Sequence, residues 1–330
     1  MSRVVLVTGA SSGIGRATAH EAARAGDHVV LLARGLATLT DAAEECRRLG
    51  AASARPCVVD IGDFAALQAV VAEVTAELGP IDVVVNSAGL VAYGRFEDVP
   101  VDVFDAVIRT NTLGAANVAR AVLPAMRERD AGTLVLVGSL IGHIAPPYMS
   151  AYAVSKWAVR GLARELRIEN RDRRGVQISV VAPGGVDTPI YLQAANYLGQ
   201  VGRPPFPVVS PERVARAALR VVDHPRGTVQ VGPANGLIIA GFSLFPRLYD
   251  ALVTPLFTVA ATDLRHPADR GTGNVLGSVE RGNRLRGGQG NPLVSTVGSV
   301  LTALTSALRS RASTSSNGDG GRSQDGRGTF

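Results

Sequence analysis

Tyr152 and Lys156 stand four residues apart, the spacing that places two side chains on one face of a helix, one turn from each other. A phenol with an ordinary pKa of ~10 exchanges a proton at neutral pH only when its anion is stabilised, and a neighbouring ammonium does that. The chain contains a single lysine, Lys156, among its 34 lysines and arginines. A compact ammonium is therefore used here and a guanidinium everywhere else. Ser139 follows an apolar run upstream.

A second group of residues, Thr8-Gly9-Ala10-Ser11-Ser12-Gly13-Ile14-Gly15, lies between an apolar run and a helix-like segment. That is the context of a dinucleotide-binding turn. Gly9 permits the tight turn, Gly13 lets the backbone approach a pyrophosphate, and Gly15 lets the helix pack on the strand. The amides around Ser11, Ser12 and Ile14 would face the phosphates at the helix N-terminus. The letters Gly9 to Gly13 also fit the G-x-S-x-G nucleophile elbow of α/β-hydrolases. Only eight residues precede Gly9, so the earlier strands that supply an oxyanion loop are missing. No lysine followed by serine or threonine completes a nucleoside-triphosphate loop.

The elements that must hold these groups are legible as seven apolar runs: Val4–Val7, His28–Leu32, Cys57–Val59, Ile81–Val85, Thr133–Val137, Gln177–Val181 and Thr228–Val231. Segments of helical length and spacing separate the first six, as in Val159, Leu162, Ala163 and Leu166. Alternating strands and helices predict a doubly wound α/β fold, a Rossmann-type three-layer sandwich with a seven-stranded, mainly parallel sheet. Ligands bind such sheets beyond the carboxyl ends of the strands. Those ends carry Thr8-Gly9, Ala33-Arg34, Asp60-Ile61, Asn86-Ser87-Ala88-Gly89, Ser139 and Pro183-Gly184. A neutral residue followed by Arg34 at the end of the second strand favours a 2′-phosphate, so NADP(H) is expected over NAD(H). Asp60 and Ile61 would meet the adenine, although nearby Asp63 fits a helix cap equally well.

Composition bounds the alternatives. Of 330 residues, 46% are hydrophobic and 19% charged, which suits a globular protein with a sizeable core. The formal charge of +6 is carried mostly by the end of the chain: +1 falls on residues 1–263 and +5 on residues 264–330. A nearly neutral body argues against a nucleic-acid surface, and the isolated Arg-Gly stretch 281–290 lacks the aromatic residues that would support one. Two cysteines, Cys46 and Cys57, offer neither a disulfide framework nor metal-ligand spacing; free thiols, a reducing cytoplasmic setting and no metal are expected. With the first strand-like run starting at Arg3, no secretion signal is expected. The apolar stretch 236–262 is interrupted by Pro246, Arg247, Asp250 and Pro255, which rules against a bilayer span. It could cover the substrate crevice as a helical pair, or lie in a membrane surface as a peripheral contact. Residues 264–291 read as loop, 292–308 as a short amphipathic helix, and 310–330 as a disordered tail. The expected units are thus a catalytic domain over 1–232, an apolar extension over 233–263, loop and helix over 264–309, and the tail.

In its motifs the sequence resembles the short-chain dehydrogenase/reductase family in its single-domain form. The resemblance rests on Thr8-Gly9-x-x-x-Gly13-x-Gly15, Asn86-x-Ala88-Gly89, Asn111, Ser139, Tyr152-x-x-x-Lys156 and Pro183-Gly184-x-x-x-Thr188, and spans residues 3 to about 232. It implies that Tyr152 is the general acid/base, that Ser139 orients the substrate oxygen, and that Lys156 also holds the nicotinamide ribose. Asn111 would position a relay water, Val186 and Thr188 would fix the carboxamide, and Asn86, Ala88 and Gly89 would support the cofactor crevice beside Pro183 and Gly184. The resemblance further implies a homodimer or homotetramer. Ser87 departs from the usual asparagine or alanine. A lipophilic carbonyl or alcohol is the expected substrate, in a pocket drawn from Leu140, Ile141, Tyr148, Tyr191, Leu192, Tyr197 and Phe206, with residues 190–210 as a lid. His143 reads as a hydrogen-bonded histidine instead of a third acid. A cofactor-binding regulator with little turnover is the rival reading.

Overall fold

A computed structural model describes residues 2–288. The amphipathic helix expected over 292–308 and the tail over 310–330 lie outside the described residues. Seven strands form the central sheet: β1 (Val4–Thr8), β2 (His28–Ala33), β3 (Ser53–Val58), β4 (Val83–Asn86), β5 (Gly132–Val137), β6 (Val176–Pro183) and β7 (Thr228–Val231). Their spatial order is β7-β6-β5-β4-β1-β2-β3, and every neighbouring pair is parallel.

Helices alternate with these strands: α1 (Gly13–Arg24), α2 (Leu36–Arg48), α3 (Phe64–Leu78), α4 (Val101–Ile108), α5 (Gly114–Glu128), α6 (Ser150–Glu169), the single turn α7 (Ile190–Gln193) and α8 (Pro211–Asp223). Successive strand residues point to opposite faces, so each strand feeds two cores. Val4 and Leu6 of β1 pack with Leu67 of α3, Val118 of α5 and Val159 of α6. Val5 and Val7 pack with Ala22 of α1, Leu39 of α2 and Val214 of α8. This double burial is why the strands read as continuous apolar runs. β3 is the exception: it starts at Ser53, earlier than the Cys57–Val59 run, because an edge strand tolerates Arg55 and Pro56.

Beyond β7 the chain forms the helical pair α9 (Asn235–Leu244) and α10 (Pro246–Ala261). The loop expected from residue 264 is partly a strand: Thr262–Pro267 pairs antiparallel with Gln200–Gly202. Residues 190–210 are likewise stitched down, and do not form the free lid expected. Ala195–Asn196 pairs with Ala92–Tyr93, and Val208–Val209 pairs with Gly185–Val186. Main-chain hydrogen bonds of these short ribbons satisfy groups that a mobile lid would leave to water.

Candidate active site

The sheet order reverses between β1 and β4, and the carboxyl ends of these two strands open the crevice. Thr8 joins them. Its hydroxyl donates to Asn86 Oδ1 at 2.7 Å and accepts from the amides of Ser87 and Ala88, each at 3.1 Å. The serine at position 87 enters this clamp through its backbone, so its departure from the familiar residue changes nothing in it. Asn86 is buried and occupied by the clamp.

The glycine turn is shaped as its spacing requires. Gly9 has a φ of +65°, and a Cβ there would lie 2.8 Å from Ala88 Cα. A Cβ on Gly15 would lie 2.2 Å from Gly9 O. Gly13 (φ +51°) faces Thr188, whose Cγ2 would be 3.1 Å from an added Cβ, so the turn and the segment after β6 meet across the crevice. Ser12 precedes α1 in extended conformation and makes no side-chain cap. The terminus thus presents backbone amides, as a phosphate cradle needs. Along the same crevice lie Ser11, Ile14, Arg34, Asp60, Ile61, Ala88, Gly89 and Thr188. Asp60 Oδ1 accepts from Gly62 N at 2.8 Å, and Asp63 caps α3 through Ala66 N at 3.0 Å. Gly184 is not shaped for a cofactor alone: a Cβ there would meet Asn235 Oδ1 at 2.7 Å.

Ser139, Tyr152 and Lys156 converge on an adjoining cavity with Pro183, Gly184 and Val186. Ser139 starts a short turn after β5 and accepts from Ile141 N at 3.1 Å, which leaves its own proton for another partner. Lys156 is buried, donates from Nζ to Val137 O at 2.9 Å, and lies 5.5 Å from the centre of the Tyr152 ring. Burial brings its pKa down to about 8. Tyr152 keeps partial exposure through the cavity. Burial of its phenol pushes its pKa up to about 12, while the Ser139 hydroxyl beside it pulls the other way. The sequence reading anticipates a phenolate stabilised by Lys156; here desolvation outweighs the Ser139 hydrogen bond and favours the protonated phenol.

Asn111 lies behind Gly89, where an added Cβ would be 3.5 Å from its Oδ1 and 3.7 Å from Lys156 Nζ. It sits in a π-helical turn, Arg109–Leu113, between α4 and α5. Its side chain accepts from Leu90 N at 2.7 Å and donates to Leu90 O and Ser155 Oγ, both at 2.9 Å. Ser155 in turn donates to Tyr152 O at 2.7 Å. Asn111 therefore ties the loop after β4 to α6, the helix that carries Tyr152 and Lys156, and the extra residue of the π turn aims it there. His143 is hydrogen-bonded as expected, with Nδ1 3.4 Å from Ser139 O and Nε2 3.3 Å from Gln230 Nε2.

The cavity wall differs from the expected one. Leu140, Ile141 and Tyr191 line it, joined by Tyr93, Met149, Phe257 and Arg203, which the sequence reading misses. Leu192 and Phe206 are instead about half exposed, Tyr197 packs with the cluster around Val103, and Tyr148 stacks against Phe257. Phe257 and Ala261 come from α10, which so contributes to the cavity wall. No periodicity links it to a site over a hundred residues away.

A family profile described as short chain dehydrogenase matches residues 3–196. The chain belongs to the short-chain dehydrogenase family. It is an oxidoreductase of that type, and the fold binds a nicotinamide dinucleotide. An uncharacterized oxidoreductase of Bacillus subtilis (strain 168) is 32% identical to this dehydrogenase over 254 residues, 76% of this chain and 71% of that protein. A 3-dehydrosphinganine reductase of Danio rerio is 36% identical over 193 residues, 57% of this chain and 58% of the relative's own length. A solved short-chain dehydrogenase from Streptomyces avermitilis matches with a TM-score of 0.65 and 28% identity, covering 76% of this chain and 98% of that one. An alcohol dehydrogenase from Thermococcus sibiricus, solved with 5-hydroxy-NADP, matches with a TM-score of 0.59 and 28% identity, covering 70% and 94%.

Proposed function

We propose that the protein is an NADP(H)-dependent reductase of lipophilic ketones or aldehydes. The observation that carries this reading is the placing of Tyr152 beside Ser139 and Lys156 in a largely apolar cavity, where burial raises the pKa of the phenol. The glycine cradle fits a dinucleotide, with Gly9, Ser11, Ser12, Gly13, Ile14 and Gly15 at the pyrophosphate, Asp60 and Ile61 toward the adenine, and Val186 and Thr188 toward the carboxamide. Arg34 would receive the 2′-phosphate. When bound, the dinucleotide supplies the hydride that reduces the carbonyl carbon. Ser139 donates a hydrogen bond to the carbonyl oxygen, and Tyr152 gives it the phenolic proton, completing the alcohol. Lys156 then stabilises the phenolate left behind until it is reprotonated. Asn111 and Ser155 act indirectly, by fixing the first turn of α6.

This division of labour has a pH signature. The reducing form needs Tyr152 protonated and Lys156 charged, and both hold below about pH 8. The rate of reduction is expected to fall as pH rises through that value, because the ammonium is lost while the phenol keeps its proton. A rate unchanged up to about pH 9.5 would remove the charge of Lys156 from the step.

The substrate class is supported by the apolar wall and by relatives named as 3-dehydrosphinganine reductase and 3-ketodihydrosphingosine reductase. The outer face of α9 and α10 exposes Leu237, Leu244, Phe245, Leu248 and Leu256, which suits peripheral contact with a lipid surface. Among the described residues no helix is long and apolar enough to cross a membrane. One assay tests the reading: consumption of NADPH and of NADH with ketones of increasing chain length, with and without phosphatidylcholine vesicles. Faster turnover with NADPH, rising with chain length and further with vesicles, is expected. Turnover with NADH equal to or above that with NADPH would overturn the cofactor assignment. Indifference to chain length would overturn the lipophilic class, and protein left wholly unbound by the vesicles would overturn the membrane contact.

A further inference from the structure

After Pro267 the chain returns across the dinucleotide crevice as a strap. Asn274, Ser278, Val279 and Asn283 line the crevice directly. Arg34 Nη2 donates to Asn274 O at 2.7 Å, and Gly13 N donates to Arg284 O at 3.0 Å. Asn283 accepts from Gln193 Nε2 at 2.7 Å and donates to Thr38 Oγ1 at 3.0 Å. The strap thus touches both the pyrophosphate cradle and the start of α2.

Glu280 is its one acidic contact there. Oε2 accepts from Thr38 N at 2.7 Å and from Thr38 Oγ1 at 3.0 Å. Thr38 lies in the first turn of α2, whose N-cap, Gly35, has no side chain to offer. The carboxylate of a residue 242 positions away therefore caps the helix in its place. Gly35 is what admits it: a Cβ at that position would stand 2.6 Å from both Cγ and Cδ of Glu280. Arg34 is the preceding residue, so the chain's own anion rests at the end of β2 where a second anion would have to come.

We propose that Glu280 is a specificity-determining residue that lowers the affinity for the 2′-phosphorylated dinucleotide. The proposal rests on the reading that Arg34 receives the 2′-phosphate. One helix terminus stabilises one anion well, and a carboxylate and a phosphate side by side repel. NADP(H) must drive Glu280 away from Thr38, whereas NAD(H), with a neutral hydroxyl, need not. The bond from Gly13 N to Arg284 O imposes no such distinction, since a pyrophosphate is common to both dinucleotides. Among the strap's contacts Glu280 is the one that discriminates between them, opposing Arg34, and it does so from outside the sheet and helices that form the crevice.

The test is direct titration of the full chain with NADPH and NADH, followed by cofactor fluorescence, for the native protein, Glu280→Gln and Arg34→Gln. Glutamine keeps an acceptor for Thr38 and loses the charge, and Glu280→Ala serves as a second variant if the first leaves the strap altered. Glu280→Gln is expected to tighten NADPH about tenfold while NADH stays within about twofold. An unchanged NADPH affinity would overturn the proposal, and so would equal tightening of both dinucleotides, which would make the strap a cover without discrimination. Failure of the underlying reading is separate: Arg34→Gln would then bind NADPH as the native protein does, whatever Glu280→Gln shows.

Discussion

Replacing Tyr152 by phenylalanine is expected to lower turnover about a thousandfold while leaving dinucleotide affinity where it is. The substitution removes one oxygen from a cavity wall made of Leu140, Ile141, Met149, Phe257 and two further tyrosines, so the ring keeps its packing. Lys156 keeps its bond to Val137 O, and Ser139 keeps the Ile141 amide. What disappears is the phenol that the proposed reduction uses as its acid. Stopped-flow reduction with saturating NADPH, together with a fluorescence titration of the cofactor, separates the two quantities. Turnover retained within about tenfold would mean that another group, or water, delivers the proton.

Gly15→Ala should act on the other half of the site and through the backbone. Its Cβ would stand 2.2 Å from Gly9 O, and main-chain atoms cannot swing aside as a flexible side chain can. Either α1 moves off β1 or the turn at Gly9 opens, and both displace the amides that face the pyrophosphate. Overpacking of this kind costs about 1–3 kcal/mol in ordinary cores and more where backbone is the obstacle. We expect a fall in the unfolding midpoint and a loss of about a hundredfold in affinity for NADPH and NADH alike. The equal loss distinguishes this variant from changes at Glu280 or Arg34, which separate the two dinucleotides. Native-like affinity in Gly15→Ala would show that the turn adjusts at little cost.

The sheet and the chemistry at its carboxyl edge were legible because both depend on local patterns. Strands buried on both faces write themselves as unbroken runs such as Val83–Val85, and Gly9, Gly13 and Gly15 announce the turn within one short segment even though Ala88 and Thr188 close on it. Tyr152 and Lys156 were legible because one helical turn separates them. Asn111 shows where such reading stops. Its position was identifiable from the resemblance, yet the clamp it forms on Leu90 and Ser155 depends on a π turn that no periodicity announces. The pocket was read only in part, because its wall is assembled from Tyr93 and Arg203, which short ribbons hold in place, and from Phe257 of the distant helix α10. The strap was read as loop for a related reason. Its attachments include hydrogen bonds that Asn274 O, the Glu280 carboxylate and Arg284 O accept from Arg34, Thr38 and Gly13, each over two hundred positions earlier.

Lys156 is the only side-chain amine in the chain, and it sits at the wall of the substrate cavity with a pKa brought down to about 8. A good share of it is therefore an unprotonated nucleophile in mildly alkaline buffer, at a place that bound cofactor and substrate would screen. Acylating reagents directed at lysine have one target side chain here, in contrast to the many that decorate an ordinary protein surface. The extent of such labelling becomes a direct count of open sites, and a tethered reporter could be installed inside the catalytic chamber without any substitution in the sequence.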